Sequence, residues 1–270
     1  MTLISDFKTL RDFCAPLHQE PFITIDTEFM RDKTYWPQLC LVQIWAKNTA
    51  AAIDVLADSM DLSPVFELLR NKEVTKVFHA ARQDLEIFLH LSGDIPQPLF
   101  DTQVAAMVCG FGDSVGYEQL VAKLANAQVD KGSRFTDWSA RPLSERQINY
   151  ALADVTHLRV AYDKLHRRLK QENRTHWIEE EMDILRDPAT YRPDPKEVYQ
   201  RIKGKRGKGK FLVVLRELAA WRELEAQRRD IPRNRVLRDD SLIEIAHYTP
   251  DNPQKLSRTR GLGERAANGS

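Results

Sequence analysis

Apolar residues recur along this chain with two different periods, and the switches between them mark its elements. Leu3, Phe7, Leu10 and the Phe13–Cys14 pair fall at helical spacing, which predicts an amphipathic helix over residues 3–18. Over residues 22–29, F-I-T-I-D-T-E-F, β-branched and aromatic residues dominate behind Pro21, which predicts a strand. A polar excursion occupies residues 30–37. Residues 39–45 and, more weakly, 50–55 then read as two further strands of the same sheet, joined as a meander. A helix is predicted over 62–70, a strand over 75–79, and an apolar helix through Leu85, Ile87, Phe88, Leu89 and Leu91. Asp101–Thr102 opens a further helix, and residues 117–124 form another. The clearest helix runs from Ser144 to Lys170. Ser144 and Gln147 make a capping box, and Ile148, Ala151, Leu152, Val155, Leu158, Tyr162, Leu165 and Leu169 make its apolar stripe.

After residue 190 the character changes. Pro193 and Pro195 break regular structure, and residues 201–210, R-I-K-G-K-R-G-K-G-K, are basic and glycine-rich. Residues 191–210 therefore read as a linker, residues 1–190 as one domain and 211–270 as a small all-α domain. The latter holds a helix over 211–229, a turn at 231–234 and a helix over 240–247. Charge divides the same way: residues 1–191 carry 21 basic and 28 acidic residues, net −7, and residues 192–270 carry 19 and 11, net +8. An acidic front and a basic back fit a module that spends carboxylates on metal, joined to one that holds a polyanion.

At 270 residues with 42% hydrophobic and 29% charged positions, the chain can bury two cores. Cys14, Cys40 and Cys109 are scattered and form no C-x-x-C pair, which points to a reducing cytoplasm rather than a disulfide scaffold or zinc site. The first residues, with Asp6, Lys8, Arg11 and Asp12, do not read as a signal peptide, and no run approaches the ~18 apolar residues of a membrane span.

Candidate chemistry starts at Asp26 and Glu28. Strand alternation projects both from one face, where like charges repel and desolvation is costly. A divalent cation with oxygen ligands relieves both penalties, and a solvated strand end is the competing reading. Asp84 falls just after a strand, where an acid also caps a helix. Tyr150 and Asp154, four residues apart, share one helix face, although a tyrosine whose hydroxyl finds a polar partner is common.

Together these stretches resemble the ribonuclease D family of the DEDD exonuclease superfamily, in its tyrosine-bearing branch. Asp26-Thr27-Glu28-Phe29 matches the first motif, and Val77-Phe78-His79-Ala80-Ala81-Arg82-Gln83-Asp84-Leu85 the second. Asp137-Trp138-Ser139-Ala140-Arg141-Pro142-Leu143-Ser144 with Gln147 and Tyr150-Ala151-Leu152-Ala153-Asp154-Val155 matches the third. Leu215-Arg216-Glu217-Leu218, Trp221-Arg222-Glu223, Arg228 to Arg233 and Val236 to Asp239 resemble the helical domain shared with RecQ-type helicases. There the family continues with a further helix after Arg260-Gly261-Leu262. This sequence ends in Ala266-Ala267-Asn268-Gly269-Ser270, so the helical domain is expected to be either naturally short or truncated.

The resemblance implies a ribonuclease-H-like α/β domain, a mixed sheet with flanking helices, followed by the small helical domain. It implies a 3′→5′ exoribonuclease that releases nucleoside 5′-monophosphates with two divalent ions, Mg²⁺ or Mn²⁺. It also implies as substrate RNA with a 3′ single-stranded end, such as tRNA precursors and other small structured RNAs. Asp26 would bridge the ions, Glu28 and Asp154 would complete the site of the nucleophile-bearing one, and Asp84 would support the other. Tyr150 would orient the attacking water. Thr27, Phe29 and Met30 would meet the terminal nucleotide. His79 would either reach a sugar or phosphate or serve the structure, and Trp138 would pack. A DNA exonuclease and a non-catalytic RNA-binding scaffold are the alternatives.

Overall fold

The computed structural model describes residues 2–47, 49–130, 132–133 and 136–262. The chain divides into two units. One takes the chain up to Met30 and Gln38–Tyr191, and the other takes Arg31–Pro37 and the chain from Arg192.

The first unit is built on a six-stranded mixed sheet: β1 (Thr2–Ile4), β2 (Phe22–Met30), β3 (Gln38–Ala46), β4 (Thr49–Asp54), β5 (Thr75–Phe78) and β6 (Leu99–Asp101), in the order β1-β4-β3-β2-β5-β6. The β2-β3-β4 pairs are antiparallel, as the meander expectation has it, and β2-β5, β5-β6 and β1-β4 are parallel. Residue 3 departs from expectation: residues 2–4 pair with Ala51–Ile53 at the sheet edge. The helix α1 (Phe7–Cys14) begins only after Asp6, whose carboxylate accepts the Thr9 N–H at 2.9 Å. A partner some fifty residues away claimed a stretch whose local spacing is helical.

Alternation along the central strands sorts side chains to two faces. On one face Ile23, Ile25, Val42, Ile44 and Ile53 form a core with Leu10 of α1, Leu68 of α2 (Ser63–Arg70) and Leu85 and Phe88 of α3 (Arg82–Ser92). On the other, Leu41, Trp45 and Ala52 meet Ala151, Leu152 and Val155 of α6 (Glu145–Gln171). Farther along α6, Leu158, Tyr162 and Leu165 join residues of α4 (Thr102–Val108) and α5 (Tyr117–Leu124), and α7 (Glu179–Arg186) follows. Both bonds of the Ser144–Gln147 capping box are made, and the Thr24 hydroxyl donates to the Val155 carbonyl at 2.7 Å, fixing α6 over β2.

The loop leading into α6 is anchored by Arg141. Its guanidinium makes a two-pronged bond to Asp54 at 2.7 and 2.8 Å and also donates to the carbonyls of Trp138, Ala140 and Cys40. The Asp54 side chain is only 9% exposed, so removing its partner strands a nearly buried charge. Arg141→Ala is expected to lower stability by roughly 2–4 kcal/mol, measured by urea denaturation. Asp54→Ala/Arg141→Ala should cost less than the two single changes added together.

In the second unit, α8 (Lys210–Arg229), α9 (Arg233–Val236), α10 (Asp239–Tyr248) and α11 (Pro253–Leu256) enclose Phe211, Leu215, Ala219, Leu242 and Ala246. Val198 and Ile202, within the stretch that reads as a linker, are buried in this same core. Part of the expected turn at 231–234 is the start of α9. The polar excursion also belongs here: Tyr35 donates to Glu223 at 2.5 Å, and Asp230 accepts the Tyr35 and Trp36 N–H groups at 3.1 and 3.0 Å. Ala266 to Ser270 lie outside the described residues. No helix among the described residues is long and apolar enough to cross a membrane. The α/β class with a separate all-α region is the one the sequence predicts.

Candidate active site

β2 carries Asp26 and Glu28 toward α6, and α6 carries Asp154 toward β2. One carboxylate oxygen from each of the three lies within 4.8 Å of the others. The strand also bulges between Glu28 and Phe29, a device that re-aims side chains beside functional sites. Burial drives the Asp26 carboxyl up to about 7, against the Thr27 backbone N–H, which favours its charged form.

Thr27, one position along, leaves the other face. Its hydroxyl donates to Asp84 at 2.5 Å, in the first turn of α3. Asp84 is thus joined to β2 through Thr27 rather than grouped with the other three acids. Burial first, and then the charge on Asp26, hold its carboxyl well above the ordinary range. Asp84 is not the helix cap: Ala81 is the residue that caps α3, with no side-chain cap bond. The turn before it is held by Asp101, which accepts the N–H groups of Ala80 and Ala81 at 3.0 and 2.8 Å.

Tyr150 sits one turn before Asp154, and its hydroxyl donates to that carboxylate. Its ring tilts against buried Trp138, with centroids 6.1 Å apart, so Trp138 packs. Burial, followed by the charges on Asp154, Glu28 and Asp26, raises the phenol above its usual range, so it keeps its proton at neutral pH.

Phe29 and Met30 remain partly exposed and lean on opposite cores, Phe29 on the α3 side and Met30 on the α6 side. His79 Nδ1 lies 2.9 Å from the Thr102 hydroxyl. That hydroxyl donates to the Phe78 carbonyl, so the imidazole nitrogen is the donor of the pair. Burial lowers the His79 pKa, which favours the neutral ring. Tyr117, which sequence reasoning misses, lies edge-on to His79 with centroids 5.4 Å apart and donates to the Asp154 backbone carbonyl. A tyrosine opening an amphipathic helix carries no local signal of that contact.

The acids fit a divalent cation. Hard carboxylate oxygens converge, and the upward drift of Asp26 and Asp84 reflects desolvation, with Asp26 adding repulsion at Asp84, that such an ion offsets.

Known proteins match both parts of the chain. The 3′-5′ exonuclease family matches residues 1–170, and the HRDC domain matches residues 211–268. A ribonuclease D from Granulibacter bethesdensis is 53% identical over 268 residues, which are 99% of this chain and 68% of that protein. The crystal structure of Escherichia coli RNase D, an exoribonuclease involved in structured RNA processing, superposes with a TM-score of 0.89 at 34% identity, over 98% of this chain and 71% of that one. NrnC of Brucella melitensis, with bound Mg²⁺, matches with a TM-score of 0.58 at 29% identity, over 68% of this chain and 88% of its own.

Proposed function

This chain belongs to the ribonuclease D family of 3′→5′ exonucleases, and from that premise we propose that it trims RNA from single-stranded 3′ ends, tRNA precursors and other small structured RNAs among them, with two divalent cations. The observation that carries the reading is the convergence of Asp26, Glu28 and Asp154 below the protonated hydroxyl of Tyr150.

Asp26, Glu28 and Asp154 would hold the cations, with Asp84 supporting from the α3 side. Mg²⁺ is favoured by the carboxylate donor set and by its presence in the NrnC structure, and Mn²⁺ shares the same ligand preference. When bound, such ions lower the pKa of water and neutralise charge on phosphate oxygens. The protein's own part is placement. Thr27 fixes Asp84, the Thr24–Val155 bond fixes the helix that carries Asp154, and Tyr150 orients the attacking water by hydrogen bonding. A tyrosine that holds its proton this firmly is an orienting group rather than a base. Phe29 and Met30, partly exposed beside the acids, are placed to touch the terminal base, and the backbone at Thr27 to touch its sugar. His79 keeps one nitrogen on Thr102 and serves mainly to hold that turn. Attack at phosphorus with departure of the preceding nucleotide's 3′ oxygen leaves the phosphate on the released nucleoside, as a 5′-monophosphate.

The helical unit, in the net +8 part of the chain, would hold the RNA backbone. Three free, buried cysteines fit a reducing cytoplasm.

The test uses 5′-labelled RNA with a short 3′ tail, and its DNA counterpart, incubated with Mg²⁺, Mn²⁺ or chelator. The expected result is a ladder shortening from the 3′ end of RNA, abolished by chelator. Equal or faster loss of DNA would overturn the RNA preference, and binding without cleavage would favour a scaffold.

A further inference from the structure

Gln43 lies in the middle of β3 with no exposed surface, and among the described residues neither its amide nitrogen nor its amide oxygen has a hydrogen-bond partner. Buried side-chain amides are nearly always paired, because an unmade bond leaves the desolvation cost unrelieved. From Leu39 to Ala46 every other residue of the strand is apolar, so this amide stands where a leucine or methionine would pack without that cost.

Register shows what the amide faces. Gln43 is the direct antiparallel partner of Asp26, so both side chains leave the sheet on the same face with Cβ atoms about 5 Å apart. Its same-face neighbours along β3 are Leu41 and Trp45, and its partner across β4 is Ala52. All three are buried in the apolar cluster under α6. Of the residues directly beside or opposite Gln43, Asp26 alone is polar; Thr24, Glu28 and Asp54 are polar but stand at the more distant diagonal positions.

We propose that Gln43 is a positioning residue for Asp26: its amide N–H groups reach the Asp26 carboxylate through one buried water and set the orientation in which that carboxylate takes a divalent cation. This rests on the reading of Asp26, Glu28 and Asp154 as the cation site, and extends it to a side chain that touches neither cation nor RNA. Hydrogen bonds behind a ligating group commonly govern affinity, and losing one weakens metal binding about 10- to 100-fold. Replacing a buried unpaired amide by an apolar isostere also removes a desolvation cost. Stability and cation affinity should therefore move in opposite directions, as they do where a site is held at the expense of the fold.

The experiment uses the full chain as wild type, Gln43→Met, Gln43→Leu and Asp26→Asn. It reads Mn²⁺ binding by calorimetry, thermal melting of the metal-free protein, and kcat and KM on tailed RNA. Both Gln43 variants should melt at or above the wild-type temperature, bind Mn²⁺ about tenfold more weakly or worse, and keep the KM for RNA while kcat falls. Mn²⁺ affinity within about twofold of wild type in both, with Asp26→Asn no longer binding, would overturn the role of Gln43 and leave the cation site standing. Melting lowered by about 3 °C or more in both would overturn it by showing that the amide serves the fold. Asp26→Asn binding Mn²⁺ as wild type does would instead remove the cation-site reading on which the proposal rests.

Discussion

Asp26→Asn should lower kcat on tailed RNA by on the order of 10³-fold or more, the scale of removing one member of a catalytic unit, while the metal-free protein melts no lower than wild type. The pairing of these outcomes follows from the site. Asp26 converges with Glu28 and Asp154 and is the charge that most raises the Asp84 carboxyl, so its own charge is a burden on the cation-free fold. Asparagine keeps the shape and removes the charge. It also removes one of the three carboxylates that would hold a cation, so calorimetry should show Mn²⁺ binding lost or reduced in stoichiometry. Retention of a tenth or more of wild-type kcat would show that the three-carboxylate cluster is not where hydrolysis occurs.

The next largest effect is expected from Tyr150→Phe. The ring stays against Trp138, and the hydroxyl that donates to Asp154 is lost. If the hydroxyl orients the attacking water, kcat falls about 10²-fold while the KM for RNA and the affinity for Mn²⁺ change little. The lost hydrogen bond should cost only about 1 kcal/mol of stability, which urea denaturation can resolve. Mn²⁺ affinity falling as steeply as kcat would place the hydroxyl's role in holding Asp154 rather than in orienting water. The two variants differ in what they spare: Asp26→Asn spares stability but not the cations, and Tyr150→Phe spares the cations but not the rate.

The sequence by itself determined the elements whose signals are local. Alternation over residues 22–29 predicts β2 and the shared face of Asp26 and Glu28, because side-chain direction in a strand follows from its period of two. The capping box and eight-residue stripe predict α6, because caps and helical periodicity are written within a few turns; seven of the eight stripe residues are buried. Motif order supplied the family, and with it the grouping of acids that lie up to 128 residues apart.

The tertiary structure alone decided what depends on distant partners. Residues 2–4 became a strand because β4 offered an open edge, overriding the helical spacing of Leu3. The polar excursion at 31–37 was folded into the helical unit by bonds to Glu223 and Asp230, nearly two hundred residues away. Asp84 was tied to β2 by a single hydroxyl, that of Thr27, on the face opposite Asp26 and Glu28. Gln43 looks like one polar residue in an apolar strand until register sets it against Asp26. In each case the deciding free energy is a pairing between distant segments, which no window of sequence contains.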